Sequence, residues 1–220
     1  MIIAIDGPSG AGKTTLGRLL ARQLNLLYLD TGSMYRAVAL AVLQSHIDPS
    51  DIKAVGALAE SVSIDLTGDV DDLKVTLNGQ DVTDEIRSEE VTEMSSIIST
   101  IPAVRRAMVE RQRELGERGA VLNGRDIGTV VFPAADIKFF LTASADERAH
   151  RRFREEHEQH PEVSFSETLA EMTERDHRDS SRSDSPLKIA DDAIIIDSSG
   201  LSIDQVLRRM LASVEQKQER

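Results

Sequence analysis

There is no cysteine in this chain and no tryptophan, and only two tyrosines and five phenylalanines. Without cysteine there is neither a disulfide framework nor a thiolate metal site. So few aromatic rings exclude the stacking platforms on which single-strand binders lay successive bases. Cations are scarce too: 26 lysines and arginines stand against 38 acids, a formal charge of −12, whereas nucleic-acid binders present a basic face. Nucleic acid is therefore not an expected partner. No apolar run approaches the length of a membrane span, so neither is the bilayer. The first residues pass straight into an apolar run without a charged leader, and a cytoplasmic protein is expected. The cations lean one way, 20 of the 26 being arginine. A planar guanidinium fork suits phosphate better than lysine's point charge, although a general preference for arginine would give the same count.

What is present begins with a loop. Gly7, Pro8, Ser9, Gly10, Ala11, Gly12, Lys13 and Thr14 fit GxxxxGK[ST], after the apolar run Ile2 to Ile5 and before a helical face of Leu16, Leu19, Leu20 and Leu24. In that context successive backbone N–H groups turn inward onto phosphate oxygens, helped by the positive end of the helix dipole. Lys13 is expected to reach the β and γ phosphates, and the Thr14 hydroxyl to ligate Mg²⁺. Nucleoside triphosphate binding is the working premise.

At 220 residues the chain is long enough for one α/β domain carrying insertions. Strands are expected at 2–5, 27–30, 120–123, 137–141 and 193–196, alternating with helices, which makes a three-layer α/β/α fold with a five-stranded parallel sheet. Asp30 and Thr31 end the second strand, where such sheets bind ligands, and Arg36 follows one helical turn later. Helix capping would serve Asp30 and Thr31 equally well. Around 61–90 the pattern turns to alternation: Val62, Ile64, Leu66 and Leu73, Val75, Leu77, with Asn78-Gly79 as a hairpin signal. An antiparallel insert is predicted there.

Residues 89–118 read as helical, broken near Pro102, with most of Arg105, Arg106, Arg111 and Arg113 expected to face solvent. The strand at 120–123 then delivers Gly124-Arg125-Asp126-Ile127-Gly128-Thr129 to the same edge as the glycine loop. A charged pair between glycines is poor packing material, because an unpaired buried charge is costly. Ser144 with Glu147, and Ser202 with Gln205, predict capping boxes for two further helices, and the tail from Glu215 should fray. The polar stretch 157–186 carries Arg175, Arg178, Asp179 and Arg182, either a solvated face or an arginine-rich lid.

Transfer of a phosphoryl group to a hydroxyl or to water needs a residue that takes or orients a proton. Transfer to an acceptor that is already an ionised phosphate needs arginines instead, and Arg36 and Arg125 stand where such an acceptor would lie. A lid over both nucleotides would keep water from the donor. These residues point to a nucleoside monophosphate kinase. A nucleotide-dependent switch would need a water-orienting glutamine and guanine-reading motifs, neither of which is found.

Four stretches make the resemblance specific: Gly7 to Thr15, Asp30 to Arg36, Gly124 to Thr129, and Glu174 to Asp179 with Arg182. In order and across essentially the whole chain, they resemble the motifs of bacterial cytidylate kinases. The resemblance implies phosphorylation of CMP and dCMP by ATP with Mg²⁺, on a monomer. The related uridylate and adenylate kinases are the alternatives. It implies Gly7 to Thr15 for ATP, and Ser96, Arg105 and Asp126 for the cytosine. Arg175 and Asp179 would hold the ribose or deoxyribose, and Arg36, Arg125 and Arg182 the acceptor phosphate, with Thr31 beside it. Lys13, Arg36, Arg125 and Arg182 would then meet the charge of the moving group. The implied division is a core of 1–60, 91–156 and 187–220, an insert at 61–90 and a lid at 157–186. The position before Gly124, often acidic in the family, is Asn123 here, one charge fewer near the acceptor.

Overall fold

A computed structural model describes residues 1–70, 72–157 and 162–218. Part of the expected lid (158–161), one insert residue (71) and the last two tail residues lie outside the described residues. Five strands form one parallel sheet: β1 (Ile2–Asp6), β2 (Leu27–Asp30), β6 (Ala120–Gly124), β7 (Ile137–Thr142) and β8 (Ile194–Asp197), in the order β2-β6-β1-β7-β8. The central strands are continuous apolar runs because both faces of such a sheet are covered. Ile3, Ala4, Ile5, Ala120, Val121 and Leu122 are wholly buried. β8 is the edge, and there Ile194 and Ile195 are exposed.

Helix α1 (Lys13–Leu24) packs against β6 and against α8 (Ile203–Gln218), which also meets β7. A second helical layer comprises α2 (Thr31–Gln44), α3 (Ile52–Ser61), α4 (Glu89–Ile98) and α5 (Pro102–Gly116), with α2 and α5 lying on the sheet. α6 (Ala145–His157) and α7 (Phe165–Ser181) pack on each other. The five strands of the sheet are thus the five expected, each bound within one residue of its expected limits.

Several local expectations are corrected. Helix α3 was not foreseen, although Asp51 caps it by accepting from the Ala54 N–H at 3.0 Å. The insert does contain an antiparallel pair, β3 (Ile64–Thr67) with β4 (Lys74–Leu77), but Asn78-Gly79 turns β4 into an additional two-residue strand, β5 (Gln80–Asp81). The pair β3–β4 is closed by the longer connection before Lys74. Ser144 caps α6 by accepting from the Glu147 N–H, but Glu147 turns its carboxylate to Arg151 at 3.1 Å, leaving half a box. Ser202 and Gln205 form both bonds of theirs. A full box at Ser164 and Glu167, which starts α7, was not anticipated. Arg105, expected among the solvent-facing arginines, is only 2% exposed, while Arg106 and Arg113 do face out.

An open cavity of about 560 Å³ lies between the insert and α1, lined in part by Arg18, Leu73, Lys74 and Arg87. None of the four motifs contributes to it.

Candidate active site

The parallel register brings the motif residues to one edge. Asp6, Gly124 and Asp30 terminate β1, β6 and β2, and Asp6 pairs with Gly124 while Asp30 pairs with Asn123. From β1 the chain leaves through Gly7, where φ is +149° and an added Cβ would stand 2.0 Å from the Leu141 carbonyl oxygen. Only glycine fits so close to a neighbouring strand. The loop ends at α1, and Lys13 opens that helix.

Lys13 is almost wholly buried, and its Nζ donates to the Pro8 carbonyl at 2.6 Å. Burial holds its ionisation well below the ordinary lysine range, and the charges of Arg125 and Arg175 push the same way, against Asp179 and Asp6. That mutual influence puts Arg125, Arg175 and Asp179 in one cleft with the loop. Arg175 has no hydrogen-bond or ion-pair partner among the described residues. Burial, then Arg125, lower it to about 10.

Arg125 donates through Nε to Asp179 at 2.6 Å, and Arg182 approaches the other oxygen of Asp179 at 3.6 Å. Burial disfavours the charge on Asp179, yet Arg125 and Arg182 outweigh it and hold its ionisation below the usual carboxylate range. Arg36 reaches Asp30 at 3.4 Å, while Asp30 caps the Gly32 N–H at 3.1 Å. The capping reading of Asp30 therefore holds alongside any other role. Thr31 donates its hydroxyl to the Asn123 carbonyl at 2.7 Å, so it ties α2 to β6.

A second cluster lies beside the first. Arg105 and Asp126 form a buried ion pair, with the Arg105 guanidinium 5.5 Å from the centre of the Tyr35 ring. Burial works against the charge on Arg105, but Tyr35 and Asp126 raise its ionisation overall. Burial pushes the Tyr35 hydroxyl up to about 12, with the charge of Arg105 and the side chain of Gln112 working the other way. Arg182 belongs here too, through its influence on Tyr35 and Arg105. Ser96, on α4, accepts from Arg178 of α7 at 2.9 Å, a contact from the expected lid to the expected base site.

Two further residues were missed by reading the sequence. Arg148 donates to the Ser9 carbonyl at 3.0 Å and to Asp176 at 2.6 Å, fastening α6 and α7 to the glycine loop. Met172 and Arg148 both crowd Gly10. The other is Asp6, whose carboxylate accepts the N–H groups of Ile127 and Gly128. The signal was available: an acid closing an apolar strand just before the loop.

For a divalent cation the donor set is sparse. Thr14 stands exposed at the loop and its hydroxyl accepts from the Asn123 amide at 3.3 Å, while Asn123 Oδ1 is buried with no hydrogen-bond partner among the described residues. Among the described residues no group of three carboxylates or histidines is placed for a metal. One hydroxyl and one orphaned acceptor fit an ion that keeps its water and takes its other ligands from nucleotide phosphates, as Mg²⁺ does.

The matching family model is that of cytidylate kinase, over residues 3–216. The chain belongs to the cytidylate kinase family. A cytidylate kinase of Solibacter usitatus is 49% identical over 99% of this chain and 93% of its own length. One of Desulforamulus reducens is 50% identical over 97% of this chain and 96% of its own. Among solved structures, an uncharacterized protein from Eubacterium ventriosum superposes with a TM-score of 0.56 at 12% identity, covering 98% of both chains, which speaks for the fold alone. Membership of the cytidylate kinase family makes the chain an ATP-using phosphotransferase with a phosphate as acceptor.

Proposed function

We propose that this chain moves the γ-phosphoryl group of ATP in line onto the phosphate of CMP or dCMP, through the residues that the four motifs carry. One observation supports this above the rest: the carboxylates at the sheet edge are all engaged, while the cations are not. Asp6 holds two amides, Asp30 a helix start and Arg36, Asp126 holds Arg105, and Asp179 holds Arg125. Among the described residues Lys13 has only a backbone carbonyl, Arg175 has no hydrogen-bond or ion-pair partner, and the Nε atoms of Arg36 and Arg182 are buried without a hydrogen bond. A site with more donors than acceptors awaits anions. Among the described residues, the four carboxylates at the strand ends and on the cleft are thus already held, and none of them is free to take a proton from a hydroxyl. A phosphate acceptor, ionised near neutral pH, needs none.

The loop Gly7 to Thr15 cradles the triphosphate with backbone N–H groups, and Lys13 leaves the Pro8 carbonyl for the β and γ oxygens. Bound phosphate reverses the local field and favours the charged lysine. Thr14, with Asn123 beside it, would hold Mg²⁺ together with the nucleotide, and the ion would supply positive charge to offset that of the phosphates. Arg36, Arg125 and Arg182 with Thr31 hold the acceptor phosphate, and meet the charge spread over the transferred group together with Lys13. Asp126 accepts from the cytosine amino group, Arg105 donates to the ring acceptors, and Ser96 completes the base contacts. Arg175 and Asp179 take the sugar.

The proposed division keeps 1–60, 91–156 and 187–220 as the core, 61–90 as an insert on the acceptor side and 157–186 as the lid, with a monomer in the cytoplasm. The acidic net charge and the contact of Arg178 with Ser96 support a lid over small nucleotides. Coupled ADP-release assays with CMP, dCMP, UMP, AMP and GMP test the reading. CMP and dCMP are expected to be the preferred acceptors, and a preference for a purine would sink it.

A further inference from the structure

Asp6 makes a connection that the proposed chemistry does not use. Its carboxylate is 4% exposed at the end of β1, one residue before the glycine loop. Oδ1 accepts the Ile127 N–H at 2.8 Å and Oδ2 the Gly128 N–H at 2.7 Å. These are the two residues directly after Arg125 and Asp126. They open a single π-helical turn, Ile127–Val131, in which Asp126 and Ile127 carbonyls accept from Val130, Val131 and Phe132. The first N–H groups of a helical turn have no partner within it, and a carboxylate from another strand supplies one here. Gly128 allows the approach, since a Cβ there would lie 3.3 Å from Asp6 Oδ2 and 3.0 Å from the Lys138 stem.

We infer that Asp6 is a positioning residue: both oxygens of its carboxylate clamp the turn that carries Arg125 and Asp126, so that the acceptor site is set in register with the donor loop. The inference rests on the reading that Arg125 and Asp126 bind the acceptor. Only an ionised carboxylate accepts both amides; a protonated one, or an asparagine, turns a donor toward one N–H and leaves it orphaned in a buried place. The charged groups that face Asp6 are Lys13 from the loop and Asp126 beyond β6, with the Lys138 stem close by and its Nζ engaged by Pro133 and Asp192. Burial outweighs the two amides and lifts the ionisation of Asp6 to about 6. The clamp should therefore slacken as the medium becomes mildly acid.

Asp6→Asn and the wild type, each with CMP and with a nonhydrolysable ATP analogue, provide the test by titration calorimetry. Asp6→Asn should weaken CMP by about tenfold, the scale of one orphaned buried donor, and leave the ATP analogue within about twofold. Unchanged CMP affinity, or an equal loss for both ligands, would overturn the inference, the latter because Asp6 would then support only the glycine loop. Should the variant not fold, the ligand-free wild type still decides. Its Ile127 and Gly128 amide signals should titrate together with a midpoint near pH 6, and two amides that ignore pH there would overturn the clamp. A wild type that binds no CMP at all overturns the acceptor reading as well, whereas one that binds CMP beside an unaffected variant overturns this inference alone.

Discussion

Arg105 and Arg175 share a cleft and differ in what surrounds them. Arg105 is sealed against Asp126 under the Tyr35 ring, and its charge is favoured where it sits. Arg175 has no ion-pair partner among the described residues, and burial together with the field of Arg125 disfavours its charge. The first has its charge met before any ligand arrives and belongs to the folded protein, with its Nε left for a ligand. The second is completed by what binds. A site that must recognise one base and also grip phosphates and sugar uses both kinds, a rigid paired reader and a group of cations left uncompensated.

Breaking the pair is expected to have the largest effect on stability. Arg105→Met should leave Asp126 buried and unpaired and cost about 3–5 kcal/mol, read from urea unfolding. Arg125→Ala should lower turnover by about 10²-fold or more, a loss of electrostatic donors at the moving group, with ADP release as the measurement. Arg125→Lys should not restore it, because a point charge does not replace the fork. Near-normal turnover in Arg125→Ala would mean the acceptor phosphate is held elsewhere. Arg175→Met sharpens the contrast at the small end: no loss of melting temperature, since an uncompensated charge leaves, but CMP binding weaker by about tenfold for one lost charged hydrogen bond. A melting temperature that falls as far as in Arg105→Met would erase the difference between the two arginines.

The sheet and its edge were legible because they are written locally. Apolar runs marked the strands, glycines and hydroxyls marked their ends, and three of the four motifs follow strands that lie side by side in the sheet. What was missed depends on distance along the chain or on choice between partners. Asp6 acts on an amide 121 residues away, and no local pattern announces that. Glu147 had two legitimate uses, its own helix start or Arg151 one turn on, and took the second. Arg105 shows a conflict of another kind. Helix position and charge predicted solvent, the family resemblance predicted the base site, and burial against Asp126 agrees with the second. The Asn78-Gly79 signal was sound as a turn and attached to the wrong pair of strands, since a two-residue partner is too short to leave a pattern.

The cavity of about 560 Å³ beneath the insert has a practical consequence. In the cleft itself Arg125, Arg178 and Arg148 bond to Asp179, Ser96 and the glycine loop, so a ligand there competes with the protein's own contacts. A compound fitted to that cavity would touch none of the four motifs. Compounds meant for the working face must instead compete for guanidinium groups, and should carry negative charge to do so.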